Sequence, residues 1–140
     1  MYEIVYQSKA SSDLVDKDIK DILKSAHKYN SRNGVTGCLL YHKGEFIQIL
    51  EGEKEVIKPL FDVIYQDDRH TDVLLLSEGE KTHRSFSDFS MAYHELSDDE
   101  AHSISEQLFK SNFVAFSEMV EKSTFSNILF WNLAKQLLNK

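Results

Sequence analysis

Apolar positions first gather in Tyr2 to Ser8, a run rich in β-branched and aromatic side chains and poor in helix formers, which predicts a strand. The polar turn Ser11-Ser12-Asp13 leads to a helix from about Asp16 to Asn30. Asp16 is placed to cap it, and Ile19, Ile22, Leu23 and Ala26 recur at helical spacing on one face. Ser31-Arg32-Asn33-Gly34 ends that helix, with Gly34 suited to a left-handed backbone. Val35 to His42 and Glu45 to Glu51 read as two strands joined at Lys43-Gly44, a hairpin signal. A second helix follows from about Glu53 to Gln66 with Val56, Ile57, Leu60, Phe61 and Ile64 inward. Pro59 inside it removes a backbone hydrogen bond and predicts a kink. Val73 to Leu76 is a nearly continuous apolar run of the kind found inside a sheet, and a fifth strand is expected from about Ser90 to Leu96.

The order strand, helix, two strands, helix, two strands is that of an α+β protein. Its first six elements make the split βαββαβ arrangement of a ferredoxin-like sandwich, here with an extra strand and a mixed sheet. Both helices then cover one sheet face. The other face falls to the C-terminal stretch, where Ser97 and Glu100 form a capping box. Ile104, Leu108, Phe109, Phe113, Phe116 and Val120 predict one helix there, and Phe125, Ile128, Leu129, Leu133 and Leu137 a second. Residues 1–96 are expected to form the principal domain and residues 97–140 a two-helix extension packed on the sheet or on a partner.

One residue breaks the pattern. In Phe46-Ile47-Gln48-Ile49-Leu50, period-two alternation puts Gln48 on the same face as Phe46 and Leu50. A primary amide left unpaired among such neighbours costs roughly 1–3 kcal/mol, so a side chain, a water or a polar ligand must answer it.

The composition narrows the choice. The chain has 140 residues and a net charge of −7, from 16 basic and 23 acidic side chains. That balance argues against broad nucleic-acid binding and requires a local basic pocket for any anionic ligand. No stretch approaches the roughly 18 apolar residues of a membrane span, and the N-terminal residues do not read as a signal peptide. The single Cys38 cannot form an internal disulfide, which suits a cytoplasmic protein, and next to Leu39 it reads as a small buried apolar residue. The six histidines show no tight ligand spacing, so no metal site is expected.

Several motifs now fall into one order: Tyr6, Asn30-Ser31-Arg32, Thr36-Gly37, Phe46-Ile47-Gln48-Ile49-Leu50-Glu51-Gly52, Asp68-Arg69-His70 and Met91. Taken singly, each has a plain structural explanation: Tyr6 and Met91 as core, Asn30 as a helix terminator, Arg69 and His70 as cations at a helix end. Together, from about Tyr2 to Leu96, they resemble the BLUF family of blue-light sensors using flavin. The resemblance implies a non-covalent flavin between the two helices, usually FAD, with FMN or riboflavin as alternatives. Ile22 and Ile64 match the apolar residues that sandwich the ring, and Asn30 the amide that bonds its polar edge. Arg69 and His70 match residues that bind the flavin or its side chain, with Arg32 a further basic candidate. Tyr6 and Gln48 match the photoactive pair, in which light drives proton-coupled electron transfer from the phenol through the amide, with Met91 alongside. The chain departs from the family in carrying Phe89 where many members have tryptophan, and Tyr29 where others often have Asn or His. Its sole tryptophan, Trp131, lies in the C-terminal helices.

About 44 residues follow Leu96, too few for a cyclase or phosphodiesterase, so the expected output is not catalysis but an interaction with a signalling protein in trans. Light is expected to alter Met91 and its strand and to reach the helices from Asp98 to Lys140, whose apolar surface also predicts a homo-oligomer. Two other readings remain at this point: a light-independent flavin or ligand-binding module, and an acylphosphatase-like hydrolase using Arg32 and an Asn.

Overall fold

The computed structural model describes residues 1–86, 92–95 and 124–138. Within them, strand β1 (Tyr2–Ala10) is followed by helix α1 (Asp16–Arg32), strands β2 (Thr36–His42) and β3 (Glu45–Gly52), helix α2 (Lys54–Gln66), strands β4 (His70–Glu80) and β5 (Ala92–Glu95), and helix α3 (Phe125–Leu138). The sheet order is β4-β1-β3-β2-β5. The first four strands pair antiparallel and β5 runs parallel to β2, so the sheet is mixed and the α+β ferredoxin-like arrangement holds.

Local chemistry explains the boundaries. Lys43 and Gly44 both adopt positive φ (49° and 82°), the backbone of a tight hairpin turn whose twist matches the flanking strands. Helix α1 begins at Asp16, so the cap position is Val15, one residue earlier than expected, and a side chain further on supplies the capping acceptor. It is Asp18, whose carboxylate takes the Val15 N–H at 3.0 Å. The same helix runs to Arg32, one half-turn beyond Asn30, and Gly34 follows at φ 66°. Gly37 is a close approach: a Cβ there would lie 2.0 Å from the Ile49 carbonyl oxygen on the paired strand. Pro59 sits inside α2, which continues through it.

Each sheet face has its own core. On the α1/α2 side Tyr2, Ile4, Tyr6, Leu39, Phe46 and Leu50 pack with Ile19, Val35 and Ile57. On the opposite side Val5, Cys38, Leu40, Ile47 and Ile49 pack with Phe86 and with Phe130, Trp131, Ala134 and Leu137 of α3. Full burial of each such aliphatic or aromatic side chain is worth about 1.5–3 kcal/mol, so α3 contributes a core in its own right.

One expectation is corrected, and the inward face of the last helix is defined. Val73 to Leu76 belongs not to an interior strand but to β4, an 11-residue strand at the sheet edge among the described residues. Register shifts opposite Val5/Tyr6 and Gln7/Lys9 interrupt its pairing with β1; Val73 meets one core and Leu76 the other, as residues three apart on a strand do, while Leu74 and Leu75 remain 51% and 38% exposed. In α3, Phe125 and Ile128 face outward (72% and 43% exposed), and Phe130, Trp131 and Ala134 take the inward stripe that Leu137 completes. The apolar pattern is nearly continuous around this helix, so periodicity alone could not choose the face. The helix expected across Ile104–Val120, the capping box at Ser97, and Phe89 and Met91 lie outside the described residues. Among the described residues no helix is long and apolar enough to cross a membrane.

Candidate functional site

Between α1, α2 and the sheet lies a cavity of about 290 Å³, at the small end of the range for ligand sites. Helix α1 supplies Ile22, Ala26, Tyr29 and Asn30, a stripe at three- and four-residue spacing, and Ser25 beside it; α2 supplies Pro59, Leu60, Val63 and Ile64. The floor is Tyr6, Leu39, Phe46, Gln48 and Leu50, and Asp67, Arg69 and His70 close one end. Ile22 and Ile64 are thus carried on the two helices that flank the space.

The cross-strand register decides the chemistry on the floor. Tyr6 on β1 lies directly opposite Gln48 on β3, which lies opposite Leu39 on β2. The buried Tyr6 hydroxyl donates a hydrogen bond to Gln48 Oε1. That answers the amide that the strand pattern left exposed to apolar neighbours. Burial, and next to it the negative charge of Asp67, raises the Tyr6 phenol above its ordinary pKa of 10.0, so it is neutral at physiological pH. Phe61 tilts against the Tyr6 ring at 5.6 Å, and His70 meets it edge-on at 6.5 Å.

Asn30 is 2% exposed, and its Nδ2 has no hydrogen-bond partner among the described residues. An amide donor orphaned in a cavity wall costs about 1–3 kcal/mol unless a ligand acceptor satisfies it. Apolar flanks, one orphaned amide and a phenol–amide pair suit a flat heteroaromatic ring with a polar edge, as a flavin has.

Of the basic residues, Arg69 and His70 stand at the cavity and each is held by protein partners. Arg69 forms a two-oxygen ion pair with Asp67, with Nη2 at 2.6 Å and Nε at 3.0 and 3.1 Å. The pair holds Asp67 below the usual carboxylate range and Arg69 above its own. His70 has both ring nitrogens engaged, with Nδ1 2.9 Å from Ser8 Oγ and Nε2 2.6 Å from the Ile64 carbonyl oxygen; the carbonyl accepts, so Nε2 carries a hydrogen. The ring is a positioned wall of the cavity. Arg32 is exposed and is not brought to the cavity: the last turn of α1 carries it past Asn30 onto the outer surface. Met91 lies outside the described residues. Ser8, Ser25, Leu39 and Val63 were not singled out for this site in the sequence. Only Ser8 left a signal there, as the residue two positions after Tyr6 and therefore on its face.

The sequence model of the family described as "Sensors of blue-light using FAD" matches residues 1–92. Among curated relatives, a photoactivated adenylate cyclase subunit beta of Euglena longa is 39% identical over 71 residues, which make up 51% of this chain and 8% of that protein. A blue light- and temperature-regulated antirepressor of Escherichia coli (strain K12) is 34% identical over 73 residues, 52% of this chain and 18% of that one. The chain therefore spans a small fraction of these relatives' length. Among solved structures, BlsA in its photo-activated state aligns with 99% of this chain and 95% of its own, at 29% identity and a TM-score of 0.67. The dark-state structure of BlrB, a BLUF protein, covers 77% of this chain and 82% of its own, at 29% identity and a TM-score of 0.64.

Proposed function

The chain belongs to the BLUF family of flavin-binding blue-light photoreceptors, and from that premise we propose that Tyr6 and Gln48 are its photoactive pair, with FAD as the flavin held between α1 and α2. The observation that carries this reading is the hydrogen bond from the Tyr6 hydroxyl to Gln48 Oε1 on the cavity floor. Ile22 and Ile64 flank the ring, and Asn30 Nδ2 donates to its polar edge. Arg69 lies at the end of the cavity that the flavin side chain leaves by. His70 packs against Tyr6 and keeps its ring in place.

When bound, the flavin supplies a blue-absorbing ring whose excited state is a strong oxidant. Tyr6 is the oxidisable side chain at the cavity floor; Trp131 is buried in the core on the opposite sheet face. Once a phenol gives up an electron its hydroxyl becomes strongly acidic, and the proton of Tyr6 leaves along the bond it already makes to Gln48. When the charge recombines the proton returns, and Gln48 is left turned or tautomerised, with its donor and acceptor ends changed. With the flavin bound, this altered amide would offer the ring edge a different hydrogen bond, and a red shift of its absorption would report the change. No substrate is consumed.

Residues 1–96 act as the sensor unit and residues 97–140 as the output segment, in the cytoplasm, through a protein partner in trans and through self-association. The support is that α3 forms the second core of the sheet while exposing Phe125 and Ile128. Absorption spectra of flavin-loaded protein before and after blue illumination test the reading. A small red shift that reverses in the dark is expected, and Tyr6→Phe and Gln48→Leu should each keep bound flavin and lose the shift. A shift retained by either variant removes that residue from the photoactive role; a colourless protein that takes up no added FAD ends the sensor reading.

A further inference from the structure

Three residues along the same strands from the Tyr6–Gln48–Leu39 row lies a second row, Glu3–Glu51–Thr36. Its side chains point to the opposite sheet face. Glu51 is fully buried, and its carboxylate is saturated. Oε1 accepts from the Phe86 N–H at 2.7 Å and from Thr36 Oγ1 at 2.8 Å; Oε2 accepts from the Ser85 N–H at 2.9 Å and from Lys81 Nζ at 2.7 Å. Lys81, buried as well, also pairs with Glu3 at 2.7 Å. Arg84 reaches the same corner, donating to Thr36 Oγ1 and to the Gly34 carbonyl at 2.8 Å.

This polar knot is joined to α3. Ser85 Oγ accepts from Lys81 Nζ at 3.1 Å and from Asn127 Nδ2 at 2.8 Å. The next residue, Phe86, stacks on Trp131 with centroids 5.7 Å apart and planes 24° apart, and meets Phe130 edge-on at 6.1 Å. A single carboxylate on the strand that carries Gln48 thus holds the two backbone N–H groups from which a hydroxyl and a ring reach α3.

We propose that Glu51 is a positioning residue for the output: it clamps the 81–86 segment, and with it α3, to the strand that carries Gln48. A clamp of this kind would pass the signal by moving between two arrangements, the observed one with both N–H groups on the carboxylate and another with the segment displaced along it. A shift of β3 against its neighbours biases the two, because the cavity row and the clamp row share β1, β2 and β3. Coupling of this kind needs a two-state element that both sites bias, and the clamped segment is that element.

The inference rests on the sensor reading, and the test separates their failures. Full-length protein loaded with FAD is measured in the dark and under blue light, by visible absorption and by hydrogen exchange across residues 125–138. The wild type should show the reversible red shift together with a light-dependent change in exchange of α3. Glu51→Gln keeps the side chain's shape but turns one acceptor into a donor facing a backbone N–H; it should keep the red shift and lose most of the exchange change. Ser85→Ala, which leaves both backbone bonds intact and carries less risk to folding, should reduce the exchange change several-fold, and Ser85→Thr, which keeps the hydroxyl, should restore it. A wild type without the red shift sinks the sensor reading and this inference together. A red shift with equal exchange in dark and light sinks the inference alone, as does a full exchange change in Ser85→Ala, or loss of the red shift itself in Glu51→Gln.

Discussion

Two clusters on opposite faces of the sheet, the cavity floor and the Glu51 knot, treat their buried polar groups in opposite ways. On the α1/α2 face, Asn30 buries an amide donor with no partner among the described residues, and the Tyr6–Gln48 bond joins two neutral groups that can exchange roles. On the α3 face, Glu3, Glu51 and Lys81 bury three charges, and Glu51 alone accepts four hydrogen bonds. Saturation by fixed partners makes a clamp; capacity left open beside a cavity makes a binding site. The same strands serve both because side chains three residues apart point to opposite faces.

The largest way to break the contrast is Lys81→Met. It leaves Glu3 and Glu51 buried without their shared cation, and loss of one partner from a buried ion pair costs about 3–5 kcal/mol. That is a large share of the roughly 5–15 kcal/mol that stabilises a domain, so the denaturant midpoint should fall sharply. The companion change on the other face, Asn30→Ala, should hardly alter the stability of flavin-free protein, since the amide donor has no partner to lose. It should weaken flavin binding by about 1–2 kcal/mol, roughly 5- to 30-fold, in a fluorescence-quenching titration. A protein destabilised as much by Asn30→Ala as by Lys81→Met would erase the distinction between the faces.

Titration sharpens it further. Burial alone would raise the Glu51 carboxyl, but the bonds from Lys81, the Ser85 backbone and Thr36 outweigh it and hold the group below its ordinary 4.5. A depressed carboxylate contributes stability that is present above its unfolded pKa and lost as pH falls through the folded value. Denaturation midpoints should therefore drop as pH falls below the ordinary 4.5, and the drop should be shallower in Glu51→Gln. The smallest effect belongs to Tyr6. Its folded pKa is raised, so the neutral phenol is the favoured form, and its contribution is complete below the ordinary 10.0 and lost only as pH rises through the higher folded value. Light-minus-dark difference spectra should keep their amplitude when the solution reaches pH 10.0.

Local pattern carried most of the architecture. Tyr2–Ala10, the hairpin at Lys43-Gly44 and the helices flanking it announce themselves through β-branched runs, positive-φ turn residues and helical spacing, all set by contacts within a few residues. The odd polarity of Gln48 between Phe46 and Leu50 was equally plain, and the order of motifs around it named the family. What the pattern did not carry depends on residues far apart. The edge position of β4, and with it the exposure of Leu74 and Leu75, comes from its pairing with β1. In α3 the inward face could not be chosen from an apolar helix until the sheet supplied a surface to fill.

By itself, then, the sequence determined the elements, the chemistry of Tyr6, Asn30 and Gln48, and the two helices that flank them, because hydrogen-bonding capacity and side-chain period are properties of the residues themselves. Only the tertiary structure decided that Arg69 is neutralised by Asp67, that both His70 nitrogens are engaged by Ser8 and Ile64, that Arg32 turns away, and that Glu51 meets Lys81 and the Ser85–Phe86 backbone. Charge and donor strength belong to a side chain, but whether they remain available depends on what the fold brings within 3 Å, and these partners lie up to 62 residues apart.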